Sequence, residues 1–179
     1  MTEKTDLQLK LSQATYSRGI DAVNHVLQGT VDLNKEALNR AAALPSGESF
    51  VLDDIACGSG QWLHEMVEAL PRHFESNGIS RSVQGIGMDM NPLGTSSSEK
   101  VTILRGDATR MTPIADASVD IGTSFFGGHY IADMLSALES SHRILKPGGT
   151  FYWLMPLDLV SKPDISKVLS ETPDAEKYF

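Results

Sequence analysis

The stretch VLDDIACGSG, residues 51–60, carries the decisive pattern of this chain. An apolar run ends in an acid, Asp54, then turns through Ala56, Gly58 and Gly60 into the helical pattern GQWLHEMVEAL. A strand, a turn of small residues and a helix in that order form a nucleotide-binding corner. Small residues let the backbone approach a ligand closely, and the helix start offers free N–H groups. The spacing argues against a dinucleotide: G-x-G-x-x-G would need glycine at position 63, where Leu63 stands. What remains reads D-x-A-x-G-x-G.

Outward from this corner, strands alternate with helices. Expected strands lie at 50–55, 84–89, 101–105, 118–124 and from Thr150 through TFYWLMP. Asp32 suits the N-cap of a helix over 33–43 that stops at Leu44-Pro45. A second helix over 61–70 is expected to kink or end at Pro71. A third, Ala132–Leu145, is expected to bury Leu135, Leu138 and Leu145, with Pro147-Gly148-Gly149 terminating it. Residues 6–28 carry an imperfect helical stripe that includes Ile20, Val23 and Leu27. Between Asp89 and Val101, NPLGTSSSEK offers no helical stripe, so that crossover is expected to be short and irregular. Alternating strands and helices predict an α/β fold: a Rossmann-like, doubly wound, mostly parallel sheet.

Four stretches resemble class I S-adenosylmethionine-dependent methyltransferases, in that family's order. Asp54–Gly60 is similar to the first motif, with Ala56 for its first glycine. GIGMDMNP (85–92) resembles the second strand, GDATRM (106–111) the third motif, and HRILKPGGTFYW (142–153) the helix, turn and strand before the end of the sheet. The resemblance covers about residues 50–153. It implies strand order 3-2-1-4-5, and S-adenosylmethionine as cofactor. It places Asp89 on the ribose hydroxyls, and Asp107 and Ala108 at the adenine. Further cofactor contacts are implied at Asp54, Ala56, Cys57, Gly58, Gly60, Met90, Ser124 and Phe125. Residues 1–45 would be a helical lid, with Tyr16 and Ile20 facing the acceptor, over a core at 46–179. The chain departs from the family in lacking the usual sixth and seventh strands, and in carrying Asp53 where an apolar residue is usual. The other readings of these acids are a structural cap at Asp54, a solvated turn at Asp89 and an Asx-turn at Asp107.

With 179 residues, the chain suits one domain with a full core. A formal net charge of −8 and no basic run argue against a nucleic-acid surface. The amino terminus lacks a signal peptide's apolar region, and no stretch approaches the roughly 20 apolar residues of a membrane span. Cys57 is the only cysteine, which excludes an intrachain disulfide. A cytoplasmic protein is expected.

Methyl transfer to an O, N or C atom of a small molecule is the expected activity. It needs alignment and exclusion of water, and a base only for a weakly acidic acceptor. His129 is the candidate base, with a cofactor-side or packing role as the alternative. Phe125 and Phe126 would line the pocket, Gly127-Gly128 would leave its floor open, and Tyr130 is a weaker candidate that would more simply be core. Cys57 reads as a small hydrophobe rather than a nucleophile. His25, His64, His73 and His142 show no metal-ligand spacing, so no metal is expected. Other activities to weigh are a non-catalytic partner or regulatory subunit of this fold, and an aminopropyl transferase, which would need added acids. The uncharged, apolar fifth strand would be a bare sheet edge, so a homodimer or other oligomer covering it is expected.

Overall fold

The computed structural model describes residues 31–92, 97–125 and 127–154, with Ile20, Val23 and Leu27 and only the backbone of His129. Helix α1 (Leu33–Ala43) starts at Asp32, whose side chain accepts from the Lys35 N–H at 3.1 Å. It buries Leu33, Ala37 and Ala41, four residues apart, and ends at Leu44 before Pro45. Strand β1 (Phe50–Ile55) follows at its expected bounds.

Helix α2 (Gln61–Ser76) does not end at Pro71, as expected, but continues for five residues beyond it. The reason is tertiary. Proline removes one i to i−4 hydrogen bond, yet Phe74 lies one turn past Leu70 on the same buried face, and its ring meets Phe50 edge-on at 5.5 Å. Asn77 and Gly78, the latter at φ +76°, close the helix.

Strands β2 (Val83–Asp89), β3 (Val101–Arg105), β4 (Val119–Phe125) and β5 (Leu145–Leu154) complete a five-stranded, all-parallel sheet. Its order is β3-β2-β1-β4-β5, as the family resemblance implied. The described residues between β2 and β3 contain no helix. β1 is central, with Leu52 level with Gly85 of β2 and Ile121 of β4. Residues 155–179, where a sixth or seventh strand would fall, lie outside the described residues.

Two cores follow from the two faces of the sheet. α1 and α2 cover the first face, over Phe50, Leu52, Val83, Val101 and Ile121. α2 lies close to the sheet because β2 carries Gly85: a Cβ there would stand 2.8 Å from Val67 Cγ2. The second face packs Ile55, Met88 and Val119 with Met111, Ile114 and Ile144.

Helix α3 (Met134–Ile144) is shorter than expected and turns a different side inward. Asp133 caps it by accepting from the Ser136 N–H. Its buried residues are Ala137, Ser140, Ser141 and Ile144, whereas Leu135, Leu138 and Leu145 are only partly buried. Small side chains let the helix sit close, and its hydroxyls find carbonyls: Ser140 donates to that of Thr109, after β3, and Ser141 to that of Ala137 within the helix. Pro147-Gly148-Gly149 does not terminate the helix. It lies inside β5 as a bulge, since Val119 pairs with Leu145 but Ile121 with Thr150. β5 therefore carries one charge, Lys146, bound at 2.8 Å to the buried Asp120, which also accepts from Arg40 and from the Val51 N–H. No described helix is long and apolar enough to cross a membrane.

Candidate functional site

A cavity of about 600 Å³ opens at the carboxyl ends of β1, β2, β3 and β4. Open α/β sheets bind ligands in this place, beside the strand where the order reverses.

One half of the cavity is the motif loop and its acids. Ala56, Gly58 and Gly60 all have positive φ, at 59°, 56° and 67°, so the loop is a run of left-handed residues. Ala56 holds that conformation despite its Cβ, a strained one for any residue but glycine. Gly60, at the N-cap of α2, offers no side chain to the helix start. Asp89 clips the loop to the end of β2: one oxygen accepts from the Gly58 N–H at 2.9 Å, the other from the Asn91 N–H at 2.8 Å. Each oxygen keeps a further lone pair for a ligand.

Asp54 lies deeper. Thr123 Oγ1 stands 3.1 Å from its carboxylate and 2.8 Å from the Asp53 carbonyl. Burial pushes the Asp54 carboxyl up to about 8; the Thr123 hydroxyl opposes this and the Asp89 charge adds to it. Asp53, on the other face of the sheet, is fully buried, and neither of its oxygens has a hydrogen-bond partner. Burial, then the neighbouring Asp54, raises its carboxyl well above the usual range. The Cys57 thiol lines the cavity, and burial pushes it up, so it stays an unreactive thiol.

Asp107 forms the turn that the sequence allowed and also faces the cavity. It forms an Asx-turn, accepting from the Thr109 N–H at 2.9 Å and hydroxyl at 2.8 Å, which lower its carboxyl, and it lines the cavity beside Ala108. Met90 lines the mouth and is 69% exposed. Ser124 is not brought in: it is fully buried on β4, is not part of the cavity wall, and its hydroxyl has no partner.

The other half is apolar: Val23, Trp62, Phe125 and Ile131. The rings of Trp62 and Phe125 meet edge-on at 4.8 Å. Gly127 does not leave the floor open as expected, because a Cβ there would lie 2.2 Å from that of Ala56; the loop already fills the space. Gly128–Tyr130 is a single 3-10 turn, and Tyr130 sits at the rim, 68% exposed rather than in the core. His129 lies in this turn between lining residues Gly127 and Tyr130. Phe126 and Tyr16 lie outside the described residues. Ile20 packs against the first core and donates its N–H to Glu65 at 2.7 Å.

Sequence reasoning missed Val23 and Trp62 as wall residues. The signals were present in the Ile20-Val23-Leu27 stripe and in an aromatic two residues after the motif's last glycine. Asp133 is a further acid in the wall, but its oxygens are engaged by Ser136 at the helix cap. Among the described residues no group of His, Cys, Asp and Glu could hold a metal.

Residues 53–153 match the family described as a methyltransferase domain. The chain belongs to the class I S-adenosylmethionine-dependent methyltransferases. It is 34% identical over 96 residues to a demethylmenaquinone methyltransferase of Staphylococcus epidermidis, and 36% identical over 98 residues to one of Staphylococcus aureus. Each match covers 54% of this chain, and the chain spans only 39% of the length of these curated relatives. A methyltransferase structure from Aquifex aeolicus shares the fold, with TM-score 0.50, 17% identity and 77% of each chain covered. A structure described as a putative methyltransferase from Anabaena variabilis gives TM-score 0.52 at 20% identity, covering 91% of this chain and 60% of its own.

Proposed function

We propose that this chain transfers the methyl group of S-adenosylmethionine to an O, N or C atom of a small-molecule acceptor. The observation that carries the reading is the two-sided cavity, acidic at the ends of β1, β2 and β3 and apolar toward Trp62 and Phe125. The donor set fits the cofactor: Asp54, Asp89 and Asp107 line it, no described Lys, Arg or His side chain does, and the ligand is a cation at sulfur and at its amino group. Asp89 would take the ribose hydroxyls, Asp107 and Ala108 the adenine, and the 54–60 loop the amino-acid end. When bound, the cofactor supplies a methyl carbon already activated by its sulfonium.

The residues of this chain do the rest. Trp62, Phe125 and Val23 exclude water from the acceptor side and hold the acceptor in line. Val23 in the wall supports reading the amino-terminal segment as a cover. His129 is the candidate base for an acceptor that must lose a proton. The names of the Staphylococcus relatives support a small-molecule acceptor. We propose that the assembled protein is a homodimer or other oligomer that covers β5.

Calorimetry with S-adenosylmethionine and S-adenosylhomocysteine tests the reading. Binding of both is expected, and binding of neither overturns it. Asp89→Ala removes charge-assisted hydrogen bonds worth roughly 1.5–3 kcal/mol each. Affinity is expected to fall by about tenfold or more. Unchanged affinity would take Asp89 out of the site.

A further inference from the structure

Thr123 lies level with Asp54 across the β1–β4 pair and is fully buried. Its hydroxyl oxygen stands 2.8 Å from the Asp53 carbonyl and 3.1 Å from a carboxyl oxygen of Asp54. A threonine hydroxyl has one proton to donate and lone pairs with which to accept. A carbonyl can only accept, so the shorter contact takes that proton. The contact with Asp54 is then a hydrogen bond only while the acid carries its own proton and donates it to Thr123. Once Asp54 is ionised, both neighbours are acceptors, and the charged one holds a hydroxyl more strongly. The two contacts therefore mark two settings of one group. The hydroxyl faces the carbonyl when Asp54 is neutral and the carboxylate when Asp54 is charged.

The groups around Asp54 decide which setting holds. Asp54 is part of the cavity wall and Thr123 is not, so Thr123 meets a ligand only through the acid. Asp89 at the end of β2, Asp53 on β1 and Cys57 in the loop are the titratable neighbours of Asp54. No described Lys, Arg or His side chain lines the wall. Burial and the Asp89 charge keep Asp54 neutral in the ligand-free chain, and a cation against the wall reverses that balance.

Resting on the methyltransferase reading of the same cavity, we infer that Thr123 is a positioning residue for the methyl donor. As the cationic donor enters, Asp54 gives its proton to the solvent buffer, and the Thr123 hydroxyl turns from the Asp53 carbonyl to the new carboxylate. No covalent bond other than that O–H breaks, and the acid stays hydrogen-bonded to Thr123 in both settings.

The test uses the full chain and calorimetry with S-adenosylmethionine across a range of pH. Thr123→Val keeps the shape and removes the hydroxyl, so the carboxylate loses its donor. Its affinity relative to the parent is expected to fall about tenfold near neutral pH. That deficit is expected to shrink toward about pH 9, where Asp54 is ionised before the ligand arrives. Thr123→Ser restores the hydroxyl and is expected to restore the parent profile. Infrared difference spectra of the parent are expected to show loss of a protonated-carboxyl band on binding. Retention of that band overturns the inference, whether or not Thr123→Val folds. So does a folded Thr123→Val that binds as the parent does, a deficit equal at every pH, or a Thr123→Ser that behaves as Thr123→Val. Failure of S-adenosylmethionine to bind the parent is seen before any variant is compared, and overturns the methyltransferase reading together with the inference.

Discussion

At the scale of single residues, Asp54 links the cofactor reading to pH. Burial raises its carboxyl to about 8 in the ligand-free chain, so near neutral pH the protonated form dominates. Its folded-state value lies above the unfolded one. The stability it contributes is therefore fully present below the unfolded value and is lost as pH rises through about 8. Asp53, raised in the same direction, adds to the trend. Thermal unfolding without ligand is expected to show stability falling from about pH 4 to about pH 8, and Asp54→Asn to flatten that slope. A cationic ligand favours the carboxylate, so binding S-adenosylmethionine should release a proton. Calorimetry in buffers of different ionisation enthalpy reads that release directly, and no buffer dependence would mean that Asp54 does not titrate with the ligand.

Among the elements, some were legible in the sequence because local chemistry settles them. Asp32 three residues before Lys35 marks the start of α1, and the run from Phe50 to Ile55 marks β1 to the residue. Others depend on what lies opposite. Pro71 reads as a stop until Phe74 is seen against Phe50. The leucines of α3 read as its core face until a close approach to the sheet selects Ala137, Ser140 and Ser141 instead. Pro147-Gly148-Gly149 reads as a turn, and only pairing with β4 makes it a bulge. The site divides in the same way. Its acids stand at strand ends within recognisable motifs and were legible. Its apolar wall joins Val23, Trp62 and Phe125 from separate segments, a proximity that no spacing along the chain encodes. Gly127 is the sharpest case, since what occupies its missing Cβ is the methyl group of Ala56, far away in sequence.

At the scale of the whole molecule, β5 is one of the two edges of the described sheet. Among the described residues β5 pairs only with β4, and its Phe151, Tyr152, Trp153 and Leu154 are all partly buried rather than buried. Phe151 and Trp153 stack at 4.9 Å on one face. Apart from Lys146, already bound to Asp120, the strand has no charge to repel a second one. A second copy of the chain offers the same edge, and a two-fold pair satisfies both. Light scattering at micromolar concentration is expected to return the mass of a dimer. A stable monomer there would mean that the edge is covered within the chain.

The acidic lining of the cavity has a further consequence, in the rates at which ligands come and go. A cleft with carboxylates and no described cation in its wall, on a chain of net charge −8, projects a field that draws a cation inward. S-adenosylmethionine carries a net positive charge near neutral pH. S-adenosylhomocysteine, having lost the sulfonium, carries none. Methyl transfer thus switches off the long-range attraction that brought the donor in, and product escape is no longer held back by it. Salt screens such steering. Stopped-flow association of S-adenosylmethionine is expected to slow as ionic strength rises, while that of S-adenosylhomocysteine stays nearly flat. Equal salt dependence for the two would show that the field plays no part in turnover.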